Sequence, residues 1–534
     1  MAPTTNSNGP DEGLFGIDNA SNPLPALAAC ARGFLSETYD FIIIGGGTAG
    51  LAVAARLTED PEVVVGVLEV GKSRLDDPLV DNPAAFVQML GNPEYDHCFK
   101  TVPQVGTLTR SDADYDDWAT LVGDSGWSST ALKHYMRKHE TLEPIDESIL
   151  DQTDYPHIGE HHGTNGPVHT SFNESSLPID PWSGDHIGFY NTLGLVARSG
   201  PHKGKRSYAA RGYFEANASR PNLKVLCEAQ VNKIVLEDGI AKGVEFVWDG
   251  MHETVYAKKE VILCGGTINS PQILELSGIG DPAILEQAGV ECKVELPGVG
   301  RNLQDHAVVA IGLELKPGNI TSDILGDPAT MEAAVKAYTE HQCGPLTSIS
   351  CTQGFLPYEN VVSSDELENT VKTIREIQNA PHTTPFYKQQ LDLSSVIDPA
   401  YLKHPADVAV LAAGLDFVHK ATKTKHLAPI IQSRFCPAAS RDLDNAADRE
   451  EAVKDWVMGE YHLIGTCAMG EVVDSRLRVK GVKGLRVVDA SVFPNHVSGN
   501  ICSSVYTVAE KAADLIKEDW DIALEVPEVA KLQL

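Results

Sequence analysis

No two of the ten cysteines form a C-x-x-C pair, so neither a zinc ribbon nor a disulfide framework is indicated. Long apolar runs are also missing. The best stretch, VAVLAAGLDFV at 408–418, is short and carries Asp416, far from what a bilayer span needs. Positive charge is scarce: 43 Lys and Arg stand against 74 Asp and Glu, the formal net charge is −31, and no basic run exceeds KGKR at 203–206. That balance argues against nucleic acid and anionic membrane surfaces, both of which reward clustered cations. The opening residues, MAPTTNSNGPDEGLFGIDNASNPL, have no basic start and no apolar core. They read as a disordered or loosely docked arm over 1–38, not as a secretory leader. Four Asn-x-Ser/Thr triplets, at Asn19, Asn173, Asn217 and Asn319, need a secretory route that nothing here displays, so the expected location is intracellular.

What is present is a large globular composition, 42% apolar and 22% charged over 534 residues. Such a length exceeds one ordinary core and predicts two closely packed domains. The strongest local signal is YDFIIIGGGTAGLAVAARLTEDPEVVVGVLEVG at 39–71. FIII reads as a buried parallel strand. Gly45, Gly47 and Gly50 then fall in G-x-G-x-x-G spacing, a helix follows, and a second strand ends at Glu69. Gly45 permits the tight turn, Gly47 lets backbone approach a pyrophosphate, and Gly50 allows close helix–strand packing. Unpaired N–H groups at the helix start favour phosphate. Glu69 lies 19 residues beyond Gly50, where an acid can hold a ribose hydroxyl. Strand, turn, helix, strand and acid in this order predict a dinucleotide site without distinguishing FAD from NAD.

Later blocks resemble the glucose–methanol–choline (GMC) oxidoreductases. GTINSPQILELSGIG at 266–280 is similar to that family's second signature, and LPGVGRNLQDH at 296–306 to the segment after it. YHLIGTCAMG (461–470), VVDSRLRVKGVKGLRVVDASVFP (472–494) and VSGNICSSVYTVAEKAADLI (497–516) resemble its closing blocks. The pattern looks most like fungal aryl-alcohol and secondary-metabolite members. The resemblance implies an α/β fold: a doubly wound, Rossmann-like FAD-binding domain plus a discontinuous α+β substrate domain on an antiparallel sheet. The expected division is 39–150, 212–306 and 455–524 for FAD, and 151–211 and 307–454 for substrate. It implies non-covalent FAD touching Gly45, Gly47, Thr48, Ala49, Gly50, Glu69, Val231, Asp489, Ala490 and Ile501.

The implied reaction oxidises the CH–OH group of a small alcohol, aromatic or polyketide-derived, with hydride passing to flavin N5 and on to an electron acceptor such as O2. Whether the enzyme is an oxidase or a dehydrogenase is left open. His462 matches the family's base, and Asn500 matches the second position, which hydrogen-bonds the substrate oxygen. His496 is read as a residue of the approach loop, Cys467 and Cys502 as packing residues, and His97 as a surface or packing histidine; no metal is expected. One element is missing. TVPQ at 101–104 leads almost directly to Thr109-Arg110 and DADYDDW, without the G-G-S-S-x-x-N loop that closes one wall of the flavin site in relatives. The gap allows three readings: a truncated version of a working oxidoreductase, a non-redox cyclase or lyase, or a binding protein that has lost catalysis.

Overall fold

The computed structural model describes residues 24–98, 112–144, 162–172, 188–191, 193–319, 321–347, 352–355, 358–378, 402 and 405–524. The step from Gln104 to Thr109, where the loop is missing, lies outside them. The apolar run at the start of the dinucleotide motif forms β1 (Tyr39–Ile44), almost wholly buried. The glycine turn opens α1 (Thr48–Leu57), and β2 (Val65–Leu68) follows, buried throughout. Strands buried on both faces belong to the interior of a parallel sheet. β2 pairs in parallel with β1 on one side and with β3 (Leu223–Leu226) on the other.

The sequence then makes a hairpin, β4 (Ala229–Glu237) and β5 (Ile240–Trp248). Its turn residues Asp238 and Gly239 both have positive φ, as a tight two-residue hairpin requires. β6 (Met251–Leu263) changes partners along its length. Its polar first half pairs antiparallel with β5. Its buried end, EVIL, runs parallel to β1 and to β9 (Leu485–Val487). The resulting order, β3-β2-β1-β6-β9 with β5 and β4 appended through β6, is the expected doubly wound core.

The helix in the second signature, α3 (Gly266–Leu276), begins at Gly266, whose N–H donates to Asp489. One expectation is corrected here. Residues 24–36 are not a loose arm. Ala28 N–H bonds to Val225 O beside β3, and the buried Phe34 ring stacks on Tyr39 at 4.7 Å. Their apolar residues find room on the core, which the polar opening residues concealed.

Outside the large sheet, β7 (Ala307–Val308) pairs antiparallel with β8 (Met458–Gly459). Ala307 also joins a second small apolar cluster with Leu411 and Leu415 of α4 (Pro405–Thr422) and Val453 of α5 (Ala446–Trp456). Among the described residues the antiparallel pairing expected of the substrate region occurs as several separate two- and three-stranded sheets. The described cysteines are all free. No helix of the described residues is long and apolar enough to cross a membrane.

The last helix, α6 (Cys502–Asp519), lies against α1. Thr48 hydrogen-bonds Cys502, Arg56 bonds Glu510, and Lys517 pairs with Glu59. These contacts advance in step, so the two helices run parallel with their N-termini together. α1 is mostly Ala, Gly, Val and Leu and is buried nearly all round, which allows the close approach. Glu510 is fully buried, yet four donors surround it. Arg56 Nε and Nη2 reach its two oxygens at 2.8 and 2.9 Å, Tyr213 Oη donates at 2.6 Å, and Lys138 Nζ of α2 (Ser129–Lys138) lies at 3.2 Å. Burial alone would raise its carboxyl pKa, but these partners hold it low. Removing one member of such a set leaves uncompensated buried charge. Glu510→Leu is therefore expected to cost about 3–5 kcal/mol, read as a lowered thermal unfolding midpoint of the apoprotein. An unchanged midpoint would show that the network is dispensable.

Candidate active site

The carboxyl ends of β1, β6 and β9 converge on one point. A Cβ on Gly45, whose φ is +102°, would collide with the Cys264 carbonyl at the end of β6. A Cβ on Gly50 would overlap the Gly45 carbonyl. Gly47 is different: it precedes α1, and nothing lies within 4 Å of where its Cβ would stand. The first two glycines are thus demanded by the protein's own packing, while the third leaves open space at a helix N-terminus. Beside it, Thr48 joins α1 to the N-terminus of α6, and Ala49 is buried behind. Two aligned helix dipoles carry about half a positive charge each at that end. An anionic pyrophosphate fits this cradle.

Glu69 clamps the same loop. Its two oxygens accept the N–H groups of Gly46 (2.6 Å) and Gly71 (2.7 Å), and each retains a lone pair for a ribose hydroxyl. Just beyond it a cavity of about 380 Å³ is lined by Val70, Gly71, Arg74, Gln230 and Val247. Val231 lies beside that cavity on β4, nearly buried. Asp489 is also buried, and its carboxylate is committed to protein donors: Gly266 N–H, Ser270 Oγ and Ser491 N–H, at 2.9, 2.6 and 2.8 Å. It ties the end of β9 to the start of α3. Ala490 O accepts the Gly465 N–H, and Ile501 immediately precedes α6. Cradle, clamp and cavity suit a dinucleotide cofactor extended across the strand ends.

His462 is set next to this place by Leu463 and Thr466, whose backbone oxygen and hydroxyl bond Thr267 at the start of α3. Its backbone is held on both sides. The N–H donates to Asp305 Oδ1 at 2.8 Å, and His496 Nε2 donates to its carbonyl at 2.8 Å. His496 thus packs against His462 from the loop that precedes α6. It also stacks on His306 with ring centroids 3.7 Å apart. His462 Nδ1 meets His306 Nδ1 at 2.8 Å. Burial, and after it the neighbouring His496, push the His462 imidazole down to about 4, so it is neutral at ordinary pH.

Asn500 is exposed, and its Oδ1 accepts the Cys502 N–H at 3.0 Å, capping α6 as Asn commonly does. No hydrogen bond joins it to His462, and its amide NH2 is the group left to donate. Cys467 is buried and burial raises its thiol pKa, while that of Cys502 is pushed up to about 11; both are thiols held by packing. His97 is exposed.

Sequence reasoning missed His306, Asp305 and Glu460. The segment 304–308 runs antiparallel beside 458–464: Gln304 and Ile464 exchange both backbone bonds, Glu460 N–H bonds His306 O, and β7 and β8 continue the pairing. The signal lay in the closing Asp-His of LPGVGRNLQDH, but its partner stretch is some 150 residues away. His306, Glu460 and His462 also place one ligand-type atom each within 4.8 Å of one another. Two nitrogens at zinc–ligand distance from one tetrahedral ion would stand about 3.3 Å apart. The observed 2.8 Å is hydrogen-bond length.

A dinucleotide cradle at parallel strand ends, beside a half-buried neutral imidazole, suits an oxidoreductase with a dinucleotide cofactor such as a flavin. Residues 105–308 and 367–509 match the two GMC oxidoreductase family models. The chain is 36% identical to the dehydrogenase citC of Monascus ruber, over 91% of this chain and 97% of that one. That alignment runs over 609 positions, more than the 534 residues here, so the relative has residues with no counterpart in this chain. An FAD-dependent oxidoreductase from Chaetomium thermophilum shares the fold with TM-score 0.80 at 24% identity, covering 91% of this chain and 100% of that one. A fungal aryl-alcohol oxidase shares it with TM-score 0.75 at 22% identity, covering 91% and 99%. The chain belongs to the GMC oxidoreductase family, and FAD is its cofactor.

The contrast between the glycines is testable. Gly47→Ala is expected to leave the apoprotein's unfolding midpoint unchanged and weaken FAD binding about tenfold or more, since its Cβ meets only the ligand. Gly50→Ala is expected to destabilise the apoprotein itself. Fluorescence titration with FAD and thermal unfolding check both; equal behaviour of the two variants would contradict the assignment.

Proposed function

We propose that this protein oxidises the CH–OH group of a small alcohol, aromatic or polyketide-derived, with His462 as the base. The observation that carries the reading is a neutral, half-buried imidazole, fixed at both backbone groups and one ring nitrogen, beside strand ends that fit FAD. When bound, FAD supplies the two-electron acceptor for the carbinol carbon. His462 has Nε2 left to take the hydroxyl proton. Asn500, its carbonyl used in the cap, offers NH2 as a donor to the substrate oxygen as negative charge develops. The names of relatives support the substrate class: dehydrogenase in Monascus, aryl-alcohol oxidase among the solved structures of the fold. O2 or another acceptor would complete the cycle. The division of the chain into FAD and substrate portions given above is part of this proposal.

A second reading is that the short connection after Gln104 impairs catalysis and leaves a binding protein; the relative's alignment, longer than this chain, supports residues missing from it without placing them. A flavin site lacking one wall is more open to water.

Anaerobic mixing of the FAD-loaded protein with 4-methoxybenzyl alcohol and related alcohols is expected to bleach the flavin absorbance. His462→Gln should slow this by about 100-fold or more while retaining FAD. Retained FAD that no alcohol bleaches would sink the redox reading; failure to hold FAD would support the second one.

The pH dependence has a definite sign. A base whose folded pKa lies below the ordinary imidazole value stays competent well into acid, and is lost as pH falls through about 4. The acid limb of kcat/KM is expected there. A limb near the ordinary value of about 6.5 would show His462 to be solvated.

A further inference from the structure

Two neutral imidazoles joined through their Nδ1 atoms share one hydrogen, and which ring owns it decides what the other nitrogen can do. His462 Nδ1 and His306 Nδ1 are 2.8 Å apart, with the rings nearly perpendicular at 83°. If His306 donates, His462 carries its hydrogen on Nε2 and presents a donor. If His462 donates, Nε2 keeps its lone pair. After that lone pair takes a proton, the imidazolium still donates through Nδ1 to the same acceptor. Only this second arrangement survives a full proton-transfer cycle without reversal of the contact.

We infer that His306 is a positioning residue that accepts the Nδ1 hydrogen of His462 and so keeps the Nε2 lone pair available to the substrate. This rests on the reading of His462 as the acid/base group. The surroundings carry it further. His306 is 1% exposed, and its ring is stacked on His496, so it has no room to swing away. His496 donates from Nε2 to the His462 carbonyl and accepts the Val497 N–H at Nδ1, 3.0 Å; both its nitrogens are used, and it has none left for His462's ring. Asp305 accepts the His462 N–H. Glu460 Oε2 lies 3.7 Å from His462 Nδ1, beyond hydrogen-bond length. Among the described residues, His306, His496, Asp305 and Glu460 are the titratable groups that these contacts place against His462. In a Ser–His–Asp triad a carboxylate orients the histidine. Here the acceptor is neutral, so it sets the tautomer without the strong increase in basicity that an adjacent anion brings.

The test reads the tautomer directly. Nitrogen-15 correlation spectra of FAD-loaded protein with labelled histidines distinguish Nδ1–H from Nε2–H rings, and the His462 pattern is identified by its loss in His462→Gln. We expect Nδ1–H in the wild type and in His306→Asn, whose amide oxygen can accept. We expect Nε2–H, the form that free imidazole side chains prefer in water, in His306→Leu. An Nε2–H pattern in the wild type overturns the proposal and needs no variant to fold. With 4-methoxybenzyl alcohol, His306→Leu should lower kcat about 100-fold with KM and FAD content unchanged, and His306→Asn should recover to within about tenfold of wild type. Wild-type kcat in His306→Leu overturns the proposal while an inactive His462→Gln keeps the base reading. An active His462→Gln removes both.

Discussion

A carboxylate with no solvent exposure stands at the centre of the fold. Glu510 survives burial because Arg56, Lys138 and Tyr213 surround it, and the deeper reason for the arrangement is the pairing it enforces. Parallel helices bring like dipole ends together, a mild electrostatic penalty in an empty fold. Ion pairs along the length of α1 and α6 offset it, and the two N-termini are left side by side with Thr48 bonded to Cys502. The positive end this creates faces the glycine turn. A bound pyrophosphate would turn the penalty into a gain, so the buried charges at one end of the helices and the anion cradle at the other are parts of one device.

The surroundings of His462 are built by different means. No helix presents His462; a short ladder does. Residues 304–308 lie antiparallel to 458–464, and within a few residues this ladder supplies Asp305 to the His462 N–H and His306 to its ring. A ladder fixes backbone position to within hydrogen-bond tolerance, and histidine stacking then fixes the ring planes. With three imidazoles packed this closely, a proton on one of them disfavours protonation of the others. Burial works in the same direction. The cluster therefore favours an uncharged His462.

Much of the cofactor half was legible in the chain. Gly45, Gly50 and Glu69 are local: turn, helix and strand follow one another, and β-branched residues at 41–44 mark the parallel strand. Fifteen consecutive positions at 266–280 carried the family resemblance. The errors have physical causes. Residues 24–36 looked like a loose arm because their docking strand, β3, cannot be inferred from their own composition. His496 looked incidental because its partners are a backbone carbonyl and a ring from elsewhere in the chain.

By itself, then, the sequence determined the elements whose meaning is carried by neighbours in the chain: the dinucleotide turn and the parallel strand beside it. The tertiary structure alone decided what required distant residues to meet. That includes the parallel seating of α1 on α6, the use of Asp489 as an internal tie, the capping role of the Asn500 carbonyl, and above all the contact between His306 and His462. Hydrogen bonds act only over about 3 Å, so residues 156 positions apart have no relation until the backbone ladder at 304–308 and 458–464 has formed.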